Sequence, residues 1–89
     1  MENITQEQID SIVKNTPLLP VFSSNIQAIG YNEQEQVLRV LFKTGGNYMY
    51  FGVPSEVFEN IKSSDSKGKT LNESVVRQKE KYKYIKINK

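Results

Sequence analysis

Tyr48 and Tyr50 stand two residues apart in the run Thr44-Gly45-Gly46-Asn47-Tyr48-Met49-Tyr50-Phe51-Gly52-Val53-Pro54. On a strand that spacing places both rings on one face. Paired aromatics on a sheet can stack nucleobases, each stack contributing about 1–3 kcal/mol. They equally suit a core, with the rings inside and the hydroxyls at its rim. A second candidate is Ser66-Lys67-Gly68-Lys69-Thr70, ahead of an apolar periodic stretch. Unpaired N–H groups at a helix start attract phosphate, and two lysines, two hydroxyls and a glycine would suit that ligand. The run lacks the Gly-x-x-x-x-Gly-Lys pattern of a Walker loop, and an ordinary capped helix start explains it as well. The third candidate is Arg77, Lys79, Lys81, Lys83, Lys86 and Lys89, interleaved with Tyr82 and Tyr84. Basic residues alternating with aromatics suit a single nucleic-acid strand. Lysine stems lying over packed tyrosines are the competing account. Arg77 offers a planar fork for bidentate phosphate binding, whereas Arg39 falls on a strand with its side of the sheet open.

Charge separates along the chain. Residues 1–66 hold four basic and eight acidic side chains (−4), and residues 67–89 hold eight basic and two acidic (+6), which sum to the net +2. The asymmetry points to an anionic partner for the C-terminal part, or to a solvated tail. With no histidine and no cysteine, the commonest general base, a thiol nucleophile and the usual zinc ligands are all missing. No carboxylate pair has a telling spacing: Glu33 and Glu35 fall in a loop, and Glu56 and Glu59 on the solvated side of a helix. General acid–base work needs a positioned, tuned group, so the expectation is a protein that is not an enzyme and needs no metal or cofactor. The polar start is unlike a signal peptide. The most apolar short stretch, Pro17 to Phe22, is far below the roughly 20 residues that span a bilayer. A soluble, cytoplasmic protein without a membrane partner is expected.

Positioning these residues requires an α+β domain. Thr5 and Gln8 form a capping-box pair flanked by Ile4 and Ile9, and Ile9, Ile12 and Val13 make one helical stripe that Pro17 ends. Pro17 to Pro20 is an extended linker carrying Leu18 and Leu19. A three-stranded antiparallel meander follows: Ile26 to Tyr31, Val37 to Lys43 and Asn47 to Phe51, the last two joined by the turn Thr44-Gly45-Gly46. Pairing Phe42 with Tyr48 and Gly30 with Leu38 places Ile26, Ala28, Leu38, Val40, Phe42, Tyr48 and Tyr50 on one apolar face. Ile29, Tyr31, Val37, Arg39, Leu41, Lys43, Met49 and Phe51 then form the other, mixed but too apolar to stay bare. Either the N-terminal helix or a second subunit must cover it. Pro54 suits the first turn of a helix buried through Val57, Phe58 and Ile61. A third helix starts at a Thr70–Glu73 capping box, with Asn72 as a rival cap, and carries Leu71, Val75 and Tyr82 on one side. Tyr82 to Ile87 alternates, as a short terminal strand would.

Ser24 to Ile85 resembles the KTSC domain, named for its occurrence at the C-terminus of some lysyl-tRNA synthetases. The matching pieces are Ile29-Gly30-Tyr31, Leu38-x-Val40-x-Phe42, Gly46-x-Tyr48-x-Tyr50, Val53-Pro54, Ser66-x-Gly68, Asn72 and Tyr82-x-Tyr84. The division is then an N-terminal helix and Pro-rich linker, 1–23, and a KTSC-like domain, 24–89. The resemblance implies a small bacterial or phage protein, and the synthetase context implies RNA binding. The leading expectation is non-enzymatic binding of a phosphate-bearing ligand, RNA favoured, through Tyr48, Tyr50, Ser66, Lys67, Gly68, Lys69, Asn72, Arg77, Tyr82 and Tyr84. Two other readings use the second apolar face. One is a phage-type oligomer that sequesters a nucleotide signal between subunits, an anti-defence role. The other is a module that docks a host protein through Met49, Phe51 and the N-terminal helix.

Overall fold

Thr5 opens the first helix, α1 (Gln6–Lys14), by the reciprocal bonding its spacing from Gln8 allows. Its Oγ1 accepts from the Gln8 N–H at 3.1 Å, and Gln8 Oε1 accepts from the Thr5 N–H at 2.9 Å. A computed structural model describes residues 4–78 and 80–87. Lys79 and Lys89 of the basic run fall outside the described residues. Beyond α1 come strands β1 (Leu19–Pro20), β2 (Ile26–Asn32), β3 (Val37–Phe42) and β4 (Asn47–Phe51), then helix α2 (Ser55–Ser63). Helix α3 (Lys67–Leu71) runs on into a π-helical turn, Asn72–Val76, and β5 (Tyr84–Lys86) closes the order. The strands form one antiparallel sheet in sequence order, β1-β2-β3-β4-β5. Two short edge strands thus extend the expected meander. β1 comes from the proline-bracketed linker and β5 from the alternating C-terminal run.

Both hairpins differ from the expected register, for different reasons. At the β3–β4 turn the Gly45 N–H donates to Phe42 O at 2.9 Å and the Phe42 N–H to Gly46 O at 2.8 Å. Lys43-Thr44-Gly45 is therefore the turn, one residue earlier than expected, with Gly45 at φ 104° where glycine alone is unstrained. The pairing slides by two residues, to Val40–Tyr48 and Leu38–Tyr50, and an even slip keeps every face. In β2 a bulge between Ile26 and Ala28 inserts one residue, and an odd insertion exchanges faces. Ile29 and Tyr31 consequently join the tyrosine-bearing face, and Ala28 leaves it. Tyr31 stacks on Phe58 with centroids 5.1 Å apart, and its hydroxyl donates to Val53 O at 2.5 Å.

Each face has its own cover. The tyrosine-bearing face packs under α2, α3 and the π-turn, with Ile26, Ile29, Leu38, Val40, Ile61, Leu71 and Val75 at most 1% exposed. Pro54 sits just before α2 as its cap residue, in an extended conformation, rather than in the first turn. Helix α3 starts at Lys67, so Thr70 lies inside it and no capping box with Glu73 forms. Instead the Thr70 and Ser64 hydroxyls bond each other at 2.7 Å.

The opposite face is covered by α1. Ile4, Ile9, Ile12 and Val13 pack onto Val37 and Met49, both fully buried, and onto Phe51. Fully burying a side chain of this size contributes about 1.5–3 kcal/mol, so α1 belongs to the core. This face is thus covered from within the chain: Met49 is inaccessible and Phe51 half-buried. A polar staple holds the end of α1. Arg39 Nη1 donates to Thr16 O at 2.9 Å and to Val13 O at 3.4 Å, Thr16 Oγ1 donates to Ile12 O, and Asn32 Nδ2 donates to Thr16 Oγ1 at 3.1 Å. A guanidinium beside these terminal carbonyls complements the helix dipole. Burial pulls the Arg39 pKa down.

Candidate nucleic-acid interface

The cross-strand register gathers aromatics at the β5 edge of the sheet. Tyr50 pairs with Tyr84 and Tyr48 with Lys86. Directly paired residues project to the same face, so all four rise on the tyrosine-bearing side. The Tyr48 centroid lies 5.9 Å from Phe42, 6.3 Å from Tyr50 and 6.0 Å from Tyr84, and Tyr50 lies 5.7 Å from Tyr84. These separations fall in the range of favourable aromatic pairs. Between the rings, Thr44, Gly46 and Val76 opens a groove of about 320 Å³. Gly46 forms part of its wall because a Cβ there would approach Tyr48 Cε2 to 2.8 Å. Tyr84 stands 48% exposed at the lip, and Tyr50 is 5% exposed at the floor. Burial, then the neighbouring Tyr48 and Tyr84 phenols, push the Tyr50 pKa up to about 12. It is therefore a neutral hydrogen-bond donor at physiological pH.

The sequence-predicted residues divide among several places. Tyr48, Tyr50 and Tyr84 meet in the groove. Val76 lines its side, and exposed Arg77 follows it directly at the end of the π-turn. Tyr82 is a core residue, 3% exposed, with Lys81 Nζ 5.5 Å from its ring centroid, which is the lysine-over-tyrosine arrangement. Ser66, Lys67, Gly68 and Lys69 line a separate cleft with Phe22, Ser23, Ser24 and Asp65. Lys67 Nζ donates to Ser64 O at 3.0 Å, and the Asp65 carboxylate shares the cleft. The absent Cβ of Gly68 makes room for Asn25, whose Oδ1 would lie 2.1 Å from it. Asn72 is exposed at the start of the π-turn, away from the lining of both cavities. Sequence reasoning missed Thr44, Gly46 and Val76 as walls of the groove and the Tyr48–Lys86 pairing. The β4–β5 register reveals the pairing, and the packing of the β3–β4 turn and the π-turn reveals the walls.

Comparison with known proteins fits this architecture. The KTSC domain model matches residues 22–82. The chain belongs to the KTSC domain family. A KTSC domain protein from Yersinia pestis has a crystal structure similar to this one, with a TM-score of 0.73 at 34% identity, covering 82% of this chain and 99% of that one. A protein of Tsukamurella paurometabola is 43% identical over 53 residues, 60% of this chain and 79% of its own length. A lysine–tRNA ligase of Nostoc punctiforme is 33% identical over 72 residues, 81% of this chain but 12% of that enzyme. Part of the KTSC pattern has a structural cause here. In Ile29-Gly30-Tyr31 the glycine lies beneath the α1–β1 linker, where a Cβ would come within 2.3 Å of Pro17 O. Pro17 and α1 precede the matched KTSC span, yet they pack on its sheet.

Proposed function

We propose that the protein is a non-enzymatic binding module for a phosphate-bearing ligand, and that the ligand is RNA met in the cytoplasm. A base stacks against Tyr48 and Tyr84 in the groove, and its phosphate is drawn by Lys86 and Arg77. The observation that carries this reading is the cluster of mutually contacting tyrosines, one of them half exposed, at the same edge of the sheet as Lys86. Elsewhere on that face α2 and α3 exclude stacking, so the groove is where the platform and the core uses of the tyrosines coexist. The likeness to a stretch of a lysine–tRNA ligase supports an RNA ligand over other anions.

The test is titration of the full chain with a labelled single-stranded RNA at several salt concentrations. Affinity should fall as salt rises, because phosphate neutralisation releases counterions. Lys86→Gln should make the logarithmic slope shallower by about 0.7, the share of one phosphate contact on a single strand. A flat salt dependence, or no binding at low salt, would defeat the reading.

A further inference from the structure

We infer that the aromatic groove is a seat for one unpaired nucleotide of an RNA, whose base accepts a hydrogen bond from the Tyr50 hydroxyl at its floor. This rests on the RNA-binding reading above and narrows it. The first support is extent. On one side the tyrosine-bearing face ends at β5, the last strand of the sheet. On the other it is sealed, with Leu38, Val40, Leu71 and Val75 at most 1% exposed beneath the helices. A run of stacked bases has nowhere to continue. The second is size, since about 320 Å³ is at the lower end of the range for small-ligand sites.

The third support is an unused polar group. The Tyr31 hydroxyl is paired within the chain, donating to Val53 O. Tyr50 is 5% exposed as a residue, yet its hydroxyl makes no hydrogen bond within the chain among the described residues and is not itself sealed from solvent. It lines the groove instead. A phenol that burial keeps protonated can donate there to a carbonyl or ring nitrogen of a base. Lys86, paired with Tyr48, supplies the positive charge at the lip that the attached phosphate needs.

The full-length chain would be titrated, by fluorescence anisotropy, with four probes. They are a blunt RNA duplex, the same duplex with a single unpaired terminal uridine, the duplex with a longer uridine tail, and uridine monophosphate as competitor. The expected result is that the single overhang binds at least tenfold tighter than the blunt duplex, and that the longer tail adds less than threefold. Tyr50→Phe, which keeps the ring, should weaken the overhang complex roughly tenfold. Tyr84→Ala, at an exposed edge position, should weaken it by a similar or larger factor without the folding risk of a buried change. Affinity that climbs with every added uridine, or an unchanged Tyr50→Phe complex in a chain that melts normally, would overturn the one-nucleotide seat while leaving RNA binding intact. Uridine monophosphate binding as tightly as the overhang would assign the seat to a free nucleotide and overturn the RNA source. No binding of any RNA would remove the broader reading as well.

Discussion

Raising the pH through the tyrosine range reports how dry the floor of the groove is. An ordinary tyrosine titrates near 10, whereas Tyr50 is pushed up to about 12, first by burial and then by Tyr48 and Tyr84. Between those values the folded chain keeps a proton that the unfolded chain releases. Where the folded state binds more protons, stability falls as pH rises. The contribution of Tyr50 is thus complete below pH 10 and is lost as pH climbs through about 12. A tenfold difference in proton affinity is worth about 1.4 kcal/mol, which sets a ceiling of roughly 3 kcal/mol. The hydroxyl opens on the groove, and screening by water there brings the expected loss to about 1–2 kcal/mol. For a domain of this size that is about 5–15 °C in melting temperature. Tyr31, raised by burial and then by Glu33, adds a slope of the same sign. The informative quantity is therefore the difference between the wild type and Tyr50→Phe in urea melts at several alkaline pH values. The variant should be the less pH-sensitive of the two. Parallel curves, or phenolate absorbance showing every tyrosine ionising together near the ordinary value, would refute the reasoning.

Three further outcomes are expected. Gly30→Ala puts a methyl against the Pro17 carbonyl, at 2.3 Å in the present geometry, and a backbone atom cannot rotate away. It should cost about 2–3 kcal/mol, read as a melting temperature lower by roughly 10–20 °C. Arg39→Ala should lose about 3 kcal/mol, from the cavity and from the Thr16 carbonyl it leaves without the guanidinium donor, while Val13 O keeps the Thr16 N–H. Arg39→Met should recover the cavity part of that in urea melts but not the part due to the unpaired carbonyl; among the described residues the guanidinium has no carboxylate partner and its Nε is unpaired, so little else is lost with the charge. Gly46→Val should melt like the wild type yet bind RNA about tenfold more weakly, since the new side chain displaces the Tyr48 ring, 2.8 Å from where its Cβ would stand.

Much of the fold was legible because local signals agreed. The capping box gave the start of α1, the alternation in β2, β3 and β4 gave the meander, and Gly45-Gly46 gave the hairpin. The faces of β3 and β4 were right although their register was not, because an even slip preserves parity. The bulge in β2 was not legible. Nothing in Ile26-Gln27-Ala28 marks an extra residue, and it arises where one face must present Ile29 and Tyr31 to α2. The start of α3 was misplaced because Thr70 and Glu73 have capping spacing by coincidence, while Ser66 and Gly68 already allow the chain to turn. The candidate site was half legible. Tyr48 and Tyr50 were visible as a pair from their alternation, whereas Tyr84 stood with Tyr82 in the basic run and only the β4–β5 pairing brings it to them. Sequence alone left open whether they were core or surface, and the structure makes Tyr50 the floor and Tyr84 the lip of one groove. The lysine-rich helix start suggested itself by composition, but Asn25 packed against Gly68, and Asp65 beside the lysines, make that cleft a poorer anion site.

The most direct test of the account is a backbone amide NMR titration of the full chain with short single-stranded RNA at low salt. Shifts should concentrate at Gly46, Tyr48, Val76, Arg77, Tyr84 and Lys86 and should saturate together. Shifts confined to the Phe22–Lys69 cleft or to the α1 face, with the groove silent, would contradict it.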